Sequence, residues 1–364
     1  MGGSPILVCD KHDIPFELEA RMKSKVIVDP HFRRMNEIFS AEDQRRLHNL
    51  VDVVWGQDER MPRDEFLRAL PDAEAVICAG WHYGDVLDHA GKLRAIMDVS
   101  GGFPQGLDYE ECYRRRIRVL SAAPGFARQV AEFSLGLAIA SCREIAFGDR
   151  LMRAGEEKYL WYGNVSTYLL YDQPVGMIGY GSLARALHPL LRPFGVTISA
   201  YDPWLGDGYL RRQGVEPLPL EQLLASSRFI FVLAVPSREN RAMLTRKLLE
   251  LIQNDAVLIL ASRAHVVDFD ALTELVLAGR FKLATDVFPV EPLPADHPIR
   301  QAEGALLSAH RAGSVTQGMV ELGEMVVDDL EAVAKGLPPR RLQMAEPELS
   351  MRYTRNQAKA PDKS

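Results

Sequence analysis

Val175-Gly176-Met177-Ile178-Gly179-Tyr180-Gly181-Ser182-Leu183-Ala184 decides the fold. An apolar, strand-like run leads into G-x-G-x-x-A, and a helical pattern follows. Gly179 permits a tight turn out of the strand, and Gly181 lets backbone approach a pyrophosphate. Ala184 is small enough for the helix to pack on the strand. The amides of Ser182 and Leu183 open that helix, so its positive end faces the phosphates. About 20 residues further on, the position expected for a ribose-binding acid, the next run closes with Ala200-Tyr201-Asp202-Pro203. A carboxylate at Asp202 accepts hydrogen bonds from ribose hydroxyls and repels a 2′-phosphate, which favours NAD over NADP. A lone glycine motif would be an ordinary turn and a lone aspartate a surface acid. Strand, helix and distal acid in register favour cofactor binding.

Outward from this motif the chain repeats the strand–helix theme. Pro174–Ile178, Thr197–Tyr201, Phe229–Val235, Ala256–Leu260, Leu283–Asp286 and Ala305–Ser308 read as the strands of a six-stranded doubly wound domain. Upstream, Lys25–Asp29, Val51–Trp55, Ala75–Cys78, Leu93–Met97 and Ile117–Leu120 are β-rich runs separated by helical patterns, the first of these around Met35–Phe39. That alternation implies a second parallel sheet with helices on its faces. The pattern changes near Pro124-Gly125. Gln129–Ile145 reads as a long apolar helix suited to a domain or subunit interface, and Val315–Lys335 as another. The first two dozen residues look like an appended arm. The tail after Gly336, rich in Pro, Arg and Lys, is expected to be irregular.

Composition narrows the function classes. Of 364 residues, 47% are hydrophobic and 25% charged, as in a globular protein with room for two cores. A net charge of −6 argues against a nucleic-acid partner. Cys9, Cys78, Cys112 and Cys142 form no CxxC pair, which suits reduced thiols in the cytoplasm and offers neither a disulfide framework nor a metal site. The most apolar runs are only strand length, so no membrane association is expected. A secretory leader is also not expected, because the N-terminus lacks a basic and a long apolar region.

Three later segments sit at strand ends, where a doubly wound sheet gathers its ligands. They are Leu260-Ala261-Ser262-Arg263, Ala284-Thr285-Asp286-Val287-Phe288-Pro289-Val290-Glu291-Pro292, and Leu307-Ser308-Ala309-His310-Arg311-Ala312-Gly313. Taken singly, Arg263 could be a surface cation paired with Asp268, Asp286 a helix cap, Glu291 a loop acid and His310 a surface residue. His188, His265 and His297 have no comparable context and read as structural. As a set in this order, with the glycine motif, the segments resemble the D-isomer-specific 2-hydroxyacid dehydrogenases, over about Lys25 to Lys335.

That resemblance implies an α/β protein of two doubly wound parallel-sheet domains. A Rossmann-type NAD domain, residues 125–310, would be inserted in a flavodoxin-like substrate domain, residues 1–124 and 311–364. It implies an NAD-dependent enzyme interconverting a small D-2-hydroxy acid and its 2-keto acid. His310 would be the acid and base, since imidazole titrates near neutral pH. Glu291 would orient the ring, and Arg263 would grip the substrate carboxylate and carbonyl. Val235, Pro236, Ala261, Ser262, Arg263, Asp286, His310 and Gly313 would line the cofactor with Gly179, Gly181, Ser182, Leu183 and Asp202, Asp286 lying near the nicotinamide carboxamide. Gly80, Trp81 and Gly102 would meet the substrate from the first domain, with Phe103 also shaping the pocket. The resemblance further implies a homodimer built largely on the helix Gln129–Ile145. An alternative is an NAD(H)-sensing, corepressor-like interaction protein of the same fold.

Several positions depart from the family pattern. Arg263 is followed by Ala264-His265 where glycine is usual, and Leu260 stands in place of an asparagine. The usual Gly-x-Gly-x-Asp loop becomes Gly101-Gly102-Phe103-Pro104-Gln105 and loses its acid. Ala309 replaces a proline, and the charged Arg311 that follows His310 suggests a second anionic group on the substrate.

Overall fold

In the first sheet the strands are short and apolar, as parallel strands covered on both faces must be. They are β1 (Lys25–Asp29), β2 (Asp52–Trp55), β3 (Ala73–Cys78), β4 (Ala95–Asp98) and β5 (Arg118–Ser121). The second sheet comprises β6 (Pro174–Ile178), β7 (Thr197–Tyr201), β8 (Glu216–Pro217), β9 (Phe229–Val232), β10 (Val257–Leu260), β11 (Lys282–Thr285) and β12 (Ala305–Leu307). A last strand, β13 (Gln343–Met344), returns to the first sheet. The computed structural model describes residues 23–235, 237 and 239–348. The expected N-terminal arm up to Met22, the end of the tail, and Pro236 lie outside the described residues.

The first sheet runs β13-β5-β4-β3-β1-β2, which is the flavodoxin-like order with one added edge. The second runs β12-β11-β10-β9-β6-β7-β8, with the order reversing between β6 and β9. Ligands of open α/β sheets bind at such a switch point, outside the carboxyl ends of the strands. Every pairing is parallel except β13 on β5. Two separate groups of buried side chains flank each sheet. In the first sheet, for example, Ile38, Leu47, Leu322 and Val326 lie with one and Phe66, Trp81 and Tyr83 with the other.

Three details differ from the sequence reading. The NAD-type sheet has seven strands rather than six, because β8 is a two-residue edge strand ending in proline and carries no periodicity. The run expected to reach Val235 ends at Val232, because Ala234 lies under Gly179, where a Cβ would come within 2.7 Å of the Ala234 Cα. The helix expected over Gln129–Ile145 spans Ala127–Cys142. Glu144 then takes a left-handed φ of 52°, which a right-handed helix does not continue through, and a new helix runs Ile145–Ala154.

The tail is ordered as far as it is described. The buried Asp329 carboxylate accepts hydrogen bonds from the amides of Arg340, Arg341 and Leu342 (2.7, 3.0 and 2.7 Å) and delivers the chain to β13. Asp329 lies on the helix Thr316–Ala334, whose apolar face covers the first sheet. Among the described residues no helix is long and apolar enough to cross a membrane.

Candidate active site

The residues singled out in the sequence stand at the carboxyl ends of their strands. Gly179 follows β6, Asp202 follows β7, Arg263 follows β10, Asp286 follows β11 and His310 follows β12. On the first sheet, the loops after β1, β3 and β4 carry Arg33, Gly80 and Ser100–Gly102. Phe126, at the crossing between the sheets, brings these two sets together. A Cβ at Gly101 would fall 3.0 Å from its ring and one at Gly313 2.9 Å from the opposite edge, so the ring is wedged between loops of both sheets.

The glycine turn fits a dinucleotide. Gly179 has φ +88°, a conformation glycine adopts freely, and its amide donates to the Tyr201 carbonyl at 2.8 Å. Gly181 caps the helix Ser182–Leu191 with no side chain, and a Cβ there would meet nothing within 4 Å. The open space beside the uncapped amides of Ser182 and Leu183 is the cradle a pyrophosphate requires. Asp202 accepts from the Tyr180 amide through Oδ2 (2.8 Å) and from the Trp204 amide through Oδ1 (2.9 Å). The carboxylate is thereby fixed at the end of β7, with each oxygen keeping a lone pair. Ser262 holds a buried hydroxyl without a partner, an orphan polar atom that a bound cofactor would satisfy. Val235 is exposed at the end of β9, and Ala261 is buried at the end of β10.

The chemistry-bearing group centres on His310. Its Nδ1 lies 2.6 Å from Glu291 Oε2, and Glu291 Oε1 accepts from the Phe288 amide at 2.9 Å. Glu291 is therefore held from its own loop while it aims the imidazole. His310 has φ 52°, and its amide donates to the Asp286 carbonyl at 2.8 Å. The buried Asp286 carboxylate accepts from the amides of Arg311 (2.9 Å) and Ala312 (2.8 Å). Asp286 thus clamps the loop that presents His310, and it caps no helix.

Arg263 donates from Nη1 to the Ser262 carbonyl at 2.8 Å. Its surface is open to solvent, yet surrounding protein atoms crowd it, as on the wall of a cleft. That crowding lowers its pKa, the Glu291 carboxylate opposes the fall, and the nearby Arg33 charge adds to it. Asp268, the alternative partner weighed for Arg263, instead caps the helix Phe269–Leu277 through the Ala271 amide.

The first-sheet loops correct two expectations. Trp81 is 6% exposed, packs on Phe66 and Tyr83, and donates Nε1 to the Gly84 carbonyl at 3.0 Å. Its ring belongs to the domain core and forms no wall of the cleft. The Gly80 amide is taken by Asp98 Oδ2 at 2.8 Å and is therefore already engaged within the first domain. Asp98 also accepts from the amide and hydroxyl of Ser100, and the Gly102 amide contributes. Burial nevertheless raises its pKa to about 6 against these hydrogen bonds. Gly102 offers its carbonyl to the Ser121 hydroxyl.

Arg33, Asp98 and Phe126 were not singled out in the sequence. Asp98 could have been found as an acid at a strand end two residues before Ser100-Gly101-Gly102, whereas Arg33 sits just ahead of a helical pattern, where one more charge attracts no notice. The three histidines without context have structural partners: His188 with the Tyr180 hydroxyl, His265 with the Ser237 carbonyl and His297 with the Ile299 amide. Among the described residues no cluster of His, Cys, Asp and Glu could hold a metal ion.

Residues 135–312 match the family described as D-isomer specific 2-hydroxyacid dehydrogenase, NAD binding domain. The chain is 30% identical over 258 residues to a glyoxylate reductase of Korarchaeum cryptofilum, covering 70% of this chain and 77% of that one. It is 30% identical over 296 residues to a glyoxylate reductase of Pyrococcus horikoshii, covering 79% and 87%. Among solved structures, a phosphoglycerate oxidoreductase from Rhizobium etli superposes with a TM-score of 0.77 at 36% identity, covering 89% of this chain and 99% of that one. Fold and site together define a nicotinamide-linked oxidoreductase, and the chain belongs to the D-isomer specific 2-hydroxyacid dehydrogenases. It is an NAD-dependent enzyme of 2-hydroxy acid oxidoreduction.

Proposed function

We propose that the enzyme interconverts a small D-2-hydroxy acid and its 2-keto acid, with His310 as acid and base, Glu291 as its orienting partner and Arg263 as the carboxylate and carbonyl ligand. The observation that carries this reading is the 2.6 Å Glu291–His310 pair presented by strand ends that neighbour Arg263. Bound NADH supplies the hydride for reduction, and NAD accepts it in oxidation. In reduction His310 Nε2 gives a proton to the carbonyl oxygen, while Glu291 holds Nδ1 and fixes the orientation of the ring. Arg263 offers paired donors to the carboxylate, and the Gly80–Trp81 loop would meet the substrate from the first sheet. Ser182, Leu183 and Gly181 would hold the pyrophosphate, Asp202 the ribose, and Ala261, Ser262 and Gly313 the nicotinamide end.

In this reading residues 1–124 and 311–364 form the substrate domain and 125–310 the cofactor domain. Glyoxylate and phosphoglycerate are the substrates that the names of the reported relatives suggest. The test is NADH consumption over a panel of 2-keto acids, with His310→Ala as control. Turnover that falls by about 10²-fold or more in the variant supports the reading. Full activity in the variant overturns the role of His310, and NADH binding without consumption across the panel favours a cofactor-sensing protein.

A homodimer is supported by a concentration of exposed apolar side chains after the helix Ala127–Cys142 rather than on it: Ile145, Met152, Leu160, Trp161, Tyr162 and Val165. Sedimentation as a monomer would overturn it. The free, buried thiols of Cys78, Cys112 and Cys142 suit a reducing cytoplasm, and a disulfide in protein isolated under alkylation would count against that placement.

A further inference from the structure

Arg33 is a largely enclosed cation with more hydrogen-bond donors than the protein satisfies. It lies in the loop at the carboxyl end of β1, and Asp29 at that end pairs in register with Cys78, just before the Gly80 loop. Its side chain is only 11% exposed. Among the described residues its hydrogen bonds run from Nη1 alone, to Glu37 Oε1 at 2.6 Å and to the weak acceptor Met319 Sδ at 3.8 Å. Nε is buried without an acceptor. A guanidinium has five N–H donors, and buried ones are ordinarily used.

Two aromatic faces fix the group in place. The guanidinium carbon lies 5.2 Å from the Phe32 ring centre and 5.5 Å from that of Phe126, the ring wedged between Gly101 and Gly313. This puts Arg33 where the loops of the two sheets meet, on the first-sheet side of the site. Its charge is felt at Arg263, so two guanidiniums act on the same region. A purely structural arginine at a domain junction would have its donors matched by carbonyls or carboxylates. Here a single carboxylate serves it, and a like charge stands nearby.

We propose that Arg33 forms a second anion subsite, so that the preferred substrate is a 2-hydroxy or 2-keto acid carrying a second anionic group, phosphate ester or carboxylate, at the end remote from the one held by Arg263. This deepens the reading of Arg263 and His310 given above and rests on it. It also moves the second cation from Arg311, where the sequence suggested it, to a group that is largely enclosed and oriented between two aromatic rings.

The experiment compares matched substrates with NADH in wild type, Arg33→Gln and Arg33→Lys. 2-Oxobutyrate against oxaloacetate tests a second carboxylate, and hydroxypyruvate against its 3-phosphate tests a phosphate. Wild type is expected to favour at least one dianion by roughly 10- to 100-fold in kcat/KM. Arg33→Gln should abolish that preference through KM while leaving kcat and the monoanion kinetics within about threefold, and Arg33→Lys should restore part of it. No dianion preference in wild type overturns the proposal without any need for a variant. Equal losses on monoanions and dianions in a folded Arg33→Gln also overturn it and assign Arg33 a structural role. Failure of wild type to consume NADH with any of the four acids would instead overturn the underlying enzymatic reading.

Discussion

Asp286 holds His310 in place without touching its ring. The carbonyl of Asp286 receives the His310 amide, and its carboxylate receives the amides of Arg311 and Ala312. A residue expected beside the nicotinamide therefore has both carboxylate oxygens engaged by the loop that carries the proposed acid and base. In Asp286→Asn one oxygen becomes an N–H group facing an N–H donor, so a buried hydrogen bond is replaced by a mismatch. The expected outcome is a loss of about 2–4 kcal/mol of stability and a kcat lower by about 10- to 100-fold, read from thermal melts and steady-state kinetics. A raised KM for NADH at unchanged kcat would instead mark direct cofactor contact as its main role.

Glu291→Gln isolates orientation from folding. The pair is partly exposed, 42% for the His310 side chain and 34% for Glu291, so its contribution to stability is small, below about 1 kcal/mol. The amide can keep the Phe288 contact, but it presents an amide in place of a carboxylate to Nδ1 and holds the ring less firmly. A fall of about 10²-fold in kcat/KM in both directions, with the melting temperature within a few degrees, is the expected result. Activity within threefold of wild type would remove Glu291 from the mechanism.

The strongest signals in the sequence were those whose chemistry is local. Gly179 and Gly181 lie in a turn whose geometry is set within a few residues, and Arg263, Glu291 and His310 each follow a run apolar enough to mark a buried strand. Pairings that depend on distant partners were not legible. Glu216–Pro217 and Gln343–Met344 are too short for a period-2 pattern, and they join their sheets only because β7 and β5 present free edges. Trp81 follows a strand like a pocket residue would, yet Phe66 and Tyr83 draw its ring into the core. Arg33 reads as one more charge at a helix start until Phe126 and Glu37 are seen around it.

The buried Asp98 predicts a pH-dependent stability. Its pKa of about 6 lies above the ordinary carboxylate value near 3.9, because burial outweighs its hydrogen bonds to the loops after β3 and β4. The folded state thus retains, as pH climbs from about 4 to 6, a proton that the unfolded chain has released. This contribution to stability is fully present below about pH 4, is lost as pH rises through 6, and is constant above that. Its span is on the order of 3 kcal/mol. Denaturation of wild type and Asp98→Asn from pH 4 to 8 should show a stability difference that changes up to about pH 6 and then levels off. A difference independent of pH across that range would contradict the assignment.

Asp202 provides the last test, because its two roles respond differently to one substitution. Its oxygens brace the turns at Tyr180 and Trp204, and its charge stands where the adenosine ribose would lie. Asp202→Asn keeps an acceptor for one of the two amides and removes the charge that would repel a 2′-phosphate. Like charges brought together at a binding site cost several kcal/mol, so relief should be felt mostly by NADPH. The ratio of kcat/KM for NADPH to that for NADH is expected to rise by roughly 10- to 100-fold. The NADH term should also fall, since a neutral amide binds ribose hydroxyls more weakly than a carboxylate does. Parallel titrations of both cofactors at one fixed keto-acid concentration separate the effects. A loss shared equally by both cofactors would mean that Asp202 serves only to brace the two turns, and that the preference for NAD is set elsewhere.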